Sequence, residues 1–496
     1  MKLHQLFSFF KLGECSTKQM SLLEEEVSGL FFDARLVKPS SVFVAIKGTE
    51  KDGHDFIADA IKNGAIALVV ENKSKVPIGS EVLIVEVSDS RHNLDVLAST
   101  FYQNPSHELI CLGVTGTNGK TSITYILEHI LNHNKKLTGV MGTVNHRVAE
   151  KIWPTQNTTP DAVTMQKRLR EFVEEGAVCA AMEVTSHALD QKRVESVHFN
   201  TVIFSNLTLD HLDYHHTMQN YFETKQKLFT DMMESSVKKP KFAIVNIDDS
   251  YGRKLQIADD VIGWTYGQKE SDFQFKILKM NFTETEFELK TAVESVVVKL
   301  PICGVHTIYN VIASCAAAIT CGVSLQQSFK SLQSFYGVPG RLQKVENTST
   351  KTVFIDYAHT PDALENVLKT LHAVKKTSGL DSKIITVFGC GGDRDKSKRP
   401  VMATIAAFQS DLVYITSDNP RTESPTAILA EIAAGIPKNY TQFKIEVDRE
   451  KAIQMAIQNS SEGDVILIAG KGHEDYQIIG HEKKFFSDLE VASRYL

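Results

Sequence analysis

Gly113-Val114-Thr115-Gly116-Thr117-Asn118-Gly119-Lys120-Thr121 stands between an apolar run, Leu109-Ile110-Cys111-Leu112, and a stretch where Ile123, Ile126, Leu127, Ile130 and Leu131 recur at helical spacing. The run reads as a buried strand of a parallel sheet and the stretch as an amphipathic helix. A glycine-rich turn at that junction lets backbone N–H groups close on phosphate oxygens at a helix N-terminus. Lys120 is then placed to reach β- and γ-phosphates, and the Thr121 hydroxyl to face Mg²⁺. The spacing departs from the general phosphate-loop pattern in one respect. Four residues should separate its two glycines, which puts Val114 where the first is expected and Gly113 one position early. Strand, Gly-Lys-Thr and helix together still predict nucleotide binding, against the alternative of a plain turn with a surface lysine.

The chain around this loop has 496 residues, too many for one core and enough for three domains of ordinary size. Apolar residues at 42% and charged residues at 23% describe a soluble globular protein. A net charge of −6 gives no general attraction to nucleic acid or to an anionic membrane. Seven cysteines with no C-x-x-C pair fit a reducing cytosol and small core residues rather than a disulfide framework. No apolar run is long enough to span a bilayer. Lys11 interrupts the apolar start without a small-residue cleavage site after it, so no signal peptide is read. A cytoplasmic protein without stable membrane association is expected.

Outward from the loop, residues 1–107 read as a small α/β domain. Its strands are Val42–Ile46 and Ala65–Val70, with a helix near Phe56–Lys62 between them, and Asn104-Pro105-Ser106 supplies the break that closes it. Residues 108–340 alternate strands and helices, the pattern of a parallel sheet covered on both faces. Val178–Val184, Thr201–Ser205 and Phe242–Asn246 are its further strands, and Gly304–Ala318 is a loop entering an apolar helix. Residues 341–496 give a third unit with strands Thr352–Asp356, Ile384–Gly389, Leu412–Thr416 and Asp464–Ala469, and a helix opened by Thr360-Pro361. The expected fold is α/β in three domains. A central phosphate-loop parallel-sheet domain is flanked by a small N-terminal α/β domain and a C-terminal Rossmann-like one.

In open α/β sheets ligands bind beyond the carboxyl ends of strands. Glu183 with Thr185, Ser186 and His187 follows one strand, and Asn206 with Asp210, His211 and Asp213 follows another. In the third unit four strands stop at Asp356–His359, Gly389–Arg394, Asp418–Arg421 and Gly470–Glu474. The run Asp210–His216 has no Cys or His partner at zinc spacing. It is either a solvated helix start or places His211 among carboxylates near Glu183 around Mg²⁺. Arg394 and Arg421 each follow an acidic residue in a turn-rich loop. They are either forks for a substrate carboxylate or members of structural Arg–Asp pairs. Lys225, within Phe222–Lys227, reads as a surface helix lysine.

Together, Gly113–Thr121, Glu183–His187, Asn206–His215, Asp356–Asp362 and Gly470–Gln477 resemble the Mur ligases of peptidoglycan synthesis, over essentially the whole chain. The early glycine is the form the phosphate loop takes in that family. The resemblance implies one domain for a UDP-sugar, a central ATPase and a C-terminal domain for an incoming amino acid, in a monomer using ATP and Mg²⁺. Gly116, Thr117, Asn118, Gly119, Lys120, Thr121 and Ser122, with Asn310, Arg341 and Asp356, would surround ATP. Thr121, Glu183, His211 and Lys225 would hold metal, Lys225 as its N-carbamate (N6-carboxylysine); Lys120, Lys225, His211 and Glu183 form the catalytic set. Asn157, Thr158, Thr159, Thr185, Gln191 and Arg193 would hold UDP-MurNAc-L-Ala-D-Glu, with Phe32, Ala34, Thr49, Glu50 and Lys51 at its uridine end. In Asp33-Ala34-Arg35 the family's usual serine is replaced by Ala34, so one hydroxyl contact is lost or supplied elsewhere. Asp418, Asn419, Pro420 and Arg421 match the motif of members that take meso-2,6-diaminopimelate. With Arg394, Gly470 and Glu474 they would clamp its distal end, Arg on the carboxylate and Glu on the ammonium. His359 is a candidate general base.

Two sister activities compete with this reading, a lysine-adding ligase and a folylpolyglutamate synthase. Asp-Asn-Pro-Arg and the N-terminal domain argue against both. A P-loop GTPase would need an Asn-Lys-x-Asp motif after the loop, but Asn72-Lys73 precedes it and is followed by Lys75. A nucleotide-binding scaffold without activity is disfavoured by Lys120, Thr121, Glu183, His211 and Lys225 all being present.

Overall fold

Short aliphatic and β-branched runs set the sheets, and the polar or glycine-rich residues after them set where each strand stops. The computed structural model describes every residue except 11–15, 49–50, 347–349 and 380. It divides into two units, Met1–Thr265 with Ala316–Ser324, and Tyr266–Cys315 with Leu325–Leu496. Among the described residues, no helix is long and apolar enough to cross a membrane.

The first unit opens with four parallel strands, β1 (Leu30–Phe31), β2 (Ser41–Val44), β3 (Ala65–Val70) and β4 (Leu83–Glu86), bonded in that order. Val42, Val44, Ala67 and Val69 pack with Leu94, Leu97 and Ala98 of the helix Ser90–Phe101. Phe43, Leu68 and Val70 pack with Ile57 and Ala60 of the helix Ile57–Lys62. Successive strand residues thus serve opposite faces, as an extended chain requires.

The next sheet contains β5 (Ile110–Thr115), β6 (Thr138–Met141), β7 (His146–Val148), β8 (Lys151–Trp153), β9 (Cys179–Glu183), β10 (Thr201–Phe204) and β11 (Phe242–Asn246). Their order is β11-β10-β5-β9-β6-β7-β8, parallel through β6 and antiparallel at the β7–β8 edge. Central β5 lies with Val114 opposite Glu183 and Thr115 opposite Phe204, so the carboxyl ends of β9, β5 and β10 are level. The strand runs to Thr115, beyond the apolar run that marks it in the sequence. Gly113 therefore belongs to the strand and not to the phosphate-binding turn. A Cβ on it would lie 2.8 Å from the Phe199 ring, so the early glycine makes room for a buried aromatic.

Along β12 (Ile262–Gly267) the chain passes into the second unit. That unit opens with an antiparallel meander, β13 (Phe273–Met280), β14 (Thr285–Lys290) and β15 (Ser295–Leu300). The meander corrects the strand–helix alternation expected throughout 108–340. The Asn281 side chain accepts from Thr283 N at 2.8 Å and Glu284 N at 2.9 Å, closing a tight turn that reverses the chain with no helix.

The remaining sheet contains β16 (Gln343–Lys344), β17 (Thr352–Asp356), β18 (Ile384–Phe388), β19 (Leu412–Ile415), β20 (Phe443–Ile445) and β21 (Val465–Ala469). Their order is β16-β17-β21-β18-β19-β20, parallel except for β16. The helices Pro361–Ser378, Lys398–Gln409 and Pro425–Ala433 share one core with the sheet, and Arg449–Gln458 with Asp488–Tyr495 share another. Thr360 caps the first of these helices, its hydroxyl accepting from Ala363 N at 3.3 Å. Strand β21 is the last of this sheet's strands along the chain yet lies between β17 and β18, and at such a reversal of strand order doubly wound sheets bind ligands. A hairpin, β22 (Tyr476–Ile479) and β23 (Glu482–Phe485), follows it.

Within the first unit, the helix Ser90–Phe101 is tied to residues 192–196. Lys192 meets Asp89 at 2.8 Å, His92 meets Glu195 at 2.7 Å, and Ser196 N donates to Asp95 Oδ2 at 2.5 Å. Asp95 is wholly buried, and its Oδ1 has no partner among the described residues. Burial pushes its carboxyl up to about 7. A folded value above the unfolded one means that the favourable contribution is complete in acid, below the usual aspartate range, and is lost as pH rises through about 7. Asp95→Asn keeps an acceptor for Ser196. It is expected to stabilise the protein by on the order of 2–4 kcal/mol near pH 8 and by little near pH 4, which urea melts at the two pH values check.

Candidate active site

The turn after β5 is shaped by two glycines in the left-handed region, Gly116 at φ 141° and Gly119 at φ 91°. A Cβ on Gly116 would sit 2.0 Å from Ser205 Oγ, so no side chain fits there. The residues leaving β10 brace the turn. Thr117 N donates to Asn206 O at 2.8 Å, Asn118 N to Asn206 Oδ1 at 3.0 Å, and Thr208 N to Thr117 Oγ1 at 3.0 Å. The helix Lys120–His133 then starts, and its first turn presents the N–H groups that a helix start does not bond internally. With the positive end of the helix dipole, Lys120, Thr121 and Ser122 make an anion seat.

Two lysines converge on one carbonyl of this turn. Lys120 Nζ donates to Gly116 O and Thr117 O, both at 2.9 Å, and Lys225 Nζ donates to Gly116 O at 3.0 Å and Thr115 Oγ1 at 3.3 Å. Lys225 is not the surface lysine its spacing predicts. It is 1% exposed on the helix Met218–Gln226, its ammonium 4.8 Å from the ring of Tyr221 one turn earlier. Burial, with the charge of Lys120 second, holds its pKa well below the ordinary amine range. His211 is half-exposed at φ 54°, its Nε2 3.4 Å from Asp210 and its ring 4.9 Å from that of His187. Burial lowers its pKa although Asp210 opposes, which favours the neutral imidazole that ligates metals.

Glu183, 1% exposed at the end of β9, accepts from Thr121 Oγ1 at 3.0 Å, Thr143 N at 2.8 Å and Thr143 Oγ1 at 3.1 Å. Gly142 leaves room for it, since a Cβ there would lie 2.2 Å from Glu183 Oε1. A hydroxyl beside a carboxylate is the hard-oxygen set that suits Mg²⁺. Among the described residues, no group of three or more His, Cys, Asp and Glu could hold a metal, so a cation here needs Thr121, water and substrate oxygens as well.

The expected acceptor residues gather next to Glu183. Thr159 Oγ1 donates to Glu183 O at 2.7 Å and accepts from Thr185 N at 3.0 Å; Thr158 lies 3.1 Å from Thr143. Arg193 donates to Thr159 O at 2.9 Å and to Gln191 at 2.6 Å, while Asn157 follows in the same loop, its carbonyl accepting from Thr155. Phe32, Ala34 and Lys51 lie with the four-stranded sheet, Ala34 buried in its core and Phe32 and Lys51 exposed. Thr49 and Glu50 lie outside the described residues.

In the second unit Asp356, at the end of β17, accepts from Leu342 N at 2.7 Å and Ala358 N at 2.9 Å. Burial raises its pKa, with Arg341 opposing. The Arg341 guanidinium lies 5.3 Å from the Tyr357 ring, and Asn310 is half-buried on the helix Val305–Thr320. His359 Nδ1 is 2.8 Å from the Tyr357 carbonyl, which can only accept, so Nδ1 carries the proton and Nε2 the lone pair a base needs.

Beyond β18, β19 and β21 three loops form one polar pocket. Asn419 Nδ2 donates to Glu474 Oε2 at 3.0 Å, and Asn419 Oδ1 accepts from Ile478 N at 2.9 Å. Asp418, Asn419 and Pro420 are buried, and Gly470 takes φ 117°. Arg421, at φ 52°, is held by its backbone to the hairpin: its N–H donates to Ile478 O at 3.0 Å and its carbonyl accepts from Gly480 N at 2.7 Å. Its Nη1 donates to Gly392 O at 2.8 Å, and neither Arg421 nor exposed Arg394 forms an ion pair among the described residues. Neither arginine thus forms the Arg–Asp ion pair that the sequence left open as an alternative, although the Asp393 carboxylate acts on Arg421 from further off. Wholly buried Arg399 braces the loops from behind, bonding Gly391 O at 3.1 Å, Glu423 at 2.9 Å and Glu431 at 2.7 Å. Its hydrogen bonds hold the Glu423 carboxyl down to about 2.

Sequence reasoning passes over Thr143, Tyr221, Arg399 and Lys471, all built into these sites. Tyr221 has a signal, since it lies four residues before Lys225 on one helix. Lys471 lies inside a loop already singled out; Thr143 and Arg399 have none.

Residues 26–102 match the Mur ligase family, catalytic domain; residues 114–318 match the Mur ligase middle domain; residues 340–472 match the Mur ligase, glutamate ligase domain. The chain is 41% identical to the UDP-N-acetylmuramoyl-L-alanyl-D-glutamate--2,6-diaminopimelate ligase of Geobacter sulfurreducens over 95% of this chain and 94% of that protein. It is also 41% identical to the Bacillus cereus ligase of the same name, over 99% and 98%. A solved structure of a ligase of that name superposes with a TM-score of 0.73 at 29% identity, covering 100% of this chain and 98% of that one. MurF of Thermotoga maritima in complex with ADP shares the fold at a TM-score of 0.60 and 21% identity, over 94% and 96%.

Lys120→Ala removes the ammonium over the anion seat and leaves the glycine turn and its braces. It is expected to weaken binding of a fluorescent nucleoside triphosphate by about 10–100-fold with the melting temperature little changed, as titration and a thermal scan would show.

Proposed function

Because the chain belongs to the Mur ligase family, we propose that it is the ATP-dependent ligase that joins meso-2,6-diaminopimelate to the D-Glu γ-carboxylate of UDP-MurNAc-L-Ala-D-Glu. The reading places it in the cytoplasm, as a monomer, in the making of peptidoglycan precursor. Its three functional segments are 1–107 for the UDP-sugar, 108–340 for ATP and 341–496 for the amino acid. One observation carries the choice of amino acid: among the described residues the Arg421 guanidinium forms no ion pair, on the same loop whose Asn419 bonds the Glu474 carboxylate. A carboxylate and an ammonium on one carbon satisfy both groups, whereas the side chain of lysine satisfies only Glu474.

Phosphoryl transfer asks for positioning and charge neutralisation more than for covalent help. The γ-carboxylate, held near Thr159, Thr185 and Arg193, attacks the γ-phosphate to give an acyl phosphate and ADP. The free amine of the amino acid then attacks the acyl carbon, and phosphate leaves. Lys120 and the first turn of its helix hold the β/γ-phosphates. Mg²⁺ would be held by Thr121 and Glu183, with a second ion at His211 and carbamylated Lys225, and it supplies charge neutralisation at the phosphates. Lys225 supports this because burial, with the charge of Lys120 second, lowers its pKa and so favours the neutral amine, the form that adds CO₂. His359, with its Nε2 lone pair, is the group assigned to take a proton from the attacking amine.

Phosphate release with ATP and UDP-MurNAc-L-Ala-D-Glu tests the reading: meso-diaminopimelate is expected to exceed L-lysine in kcat/KM by about 100-fold or more. Faster turnover with lysine would remove the amino-acid assignment and leave the ligase standing. The carbamate has its own check. Activity should fall when CO₂ is stripped from the buffer and return with bicarbonate, and intact-protein mass spectrometry should show a labile CO₂ adduct that Lys225→Ala lacks.

A further inference from the structure

A third cation lies beneath the pocket of Arg421 and Glu474. Lys471 is 0% exposed, on the loop after β21. Its ammonium is 3.4 Å from Glu474 Oε2, 3.6 Å from Asp418 Oδ1 and 3.4 Å from Asn419 Oδ1. Lys471 thus faces both carboxylates. Asp418 Oδ1 has no hydrogen-bond partner among the described residues and depends on this charge. The Tyr476 ring lies 5.4 Å from the ammonium.

This arrangement decides what the two carboxylates can still take. One ammonium, Lys471, stands within 4 Å of both Asp418 and Glu474, while the buried Arg449 acts on both from further off and Asp393 acts on Arg421. A substrate end bearing only an ammonium competes with Lys471 for those carboxylates, while an end bearing ammonium and carboxylate also brings an acceptor for Arg421. Without Lys471 a lone ammonium would meet a Glu474 carboxylate bonded, among the described residues, only by Asn419. Buried charges a few ångströms apart interact strongly because little water screens them.

We propose that Lys471 is a specificity-determining residue: by occupying the near side of Glu474 and Asp418, it makes the pocket reject an amino acid whose distal end is a bare ammonium. The inference rests on the diaminopimelate reading above and adds a residue to it. Lys471 acts through the charge and placement of Glu474, so it is not a catalytic residue.

The test is the ratio of kcat/KM for L-lysine to kcat/KM for meso-diaminopimelate, measured by phosphate release with the full-length protein. In Lys471→Met the ratio should rise about tenfold or more, with the KM values for ATP and for UDP-MurNAc-L-Ala-D-Glu unchanged. Lys471→Arg, which keeps the charge, should stay within about threefold of the parent ratio. Asp418→Asn adds net positive charge and should move the ratio the opposite way, a signature that mere loosening of the pocket does not give. If Lys471→Met fails to fold, the sign of the Asp418→Asn shift decides. A ratio unmoved in Lys471→Met, or moved the same way by both variants, overturns the proposal. A parent protein that turns over lysine but not diaminopimelate removes the functional reading itself, and is seen before any variant is made.

Discussion

The carbonyl oxygen of Gly116 accepts from two lysines, Lys120 and Lys225. Much of the first unit exists to allow this. The carbonyl is turned toward both ammoniums by a backbone angle that only glycine holds in the space left by Ser205. The turn keeps that angle because Asn206 and Thr208 on the neighbouring strand exit bond its N–H and hydroxyl groups. Those exits are within reach because β5, β9 and β10 end level. Two lysines on one neutral acceptor bring two basic groups together. Such a site suits a polyphosphate at Lys120, while burial, with the charge of Lys120 second, lowers the pKa of Lys225.

The second unit solves a different problem with the same kind of sheet. Inserting β21 between β17 and β18 brings the loops after β21, β18 and β19 side by side. These loops carry mixed charge rather than a single sign. Arg399 and its carboxylate partners act from behind as a rigid mount, so the groups that face outward need not hold themselves in place. A mixed-charge cluster on a rigid mount is suited to pairing both ends of a zwitterion, and placement within it decides more than total charge.

How far the sequence reveals this depends on the range of the forces involved. Helical spacing after Lys120, the apolar strands of both parallel sheets and the N-cap at Thr360 are local, and they are found where the pattern puts them. Glu183, Thr159 and Arg193 are recognised through motifs, and they do meet in space. Lys225 is misread as surface-exposed because its burial comes from Thr115 and Gly116, more than a hundred residues earlier, and helix periodicity holds no trace of them. Gly113 looks like part of a loop because a glycine invites that reading, while its reason is the bulk of Phe199 on another segment. The meander at 273–300 is missed because its turns are closed by single Asn and Thr side chains, a weaker signal than Gly or Pro. Arg399 is silent in sequence, and Lys471 shows only as one member of a polar loop, for the same reason as Lys225: what makes them important is what closes over them.

The hairpin that follows β21 grips residue 421 by its main chain alone, one bond to its N–H and one to its carbonyl. The guanidinium takes no part in that grip. Backbone shape and side-chain identity at this position are thus separate variables, one set by a distant ribbon and the other by a single codon. The side chain at this position can therefore be exchanged while the frame is inherited intact, because both bonds that hold residue 421 in place are made by its main chain.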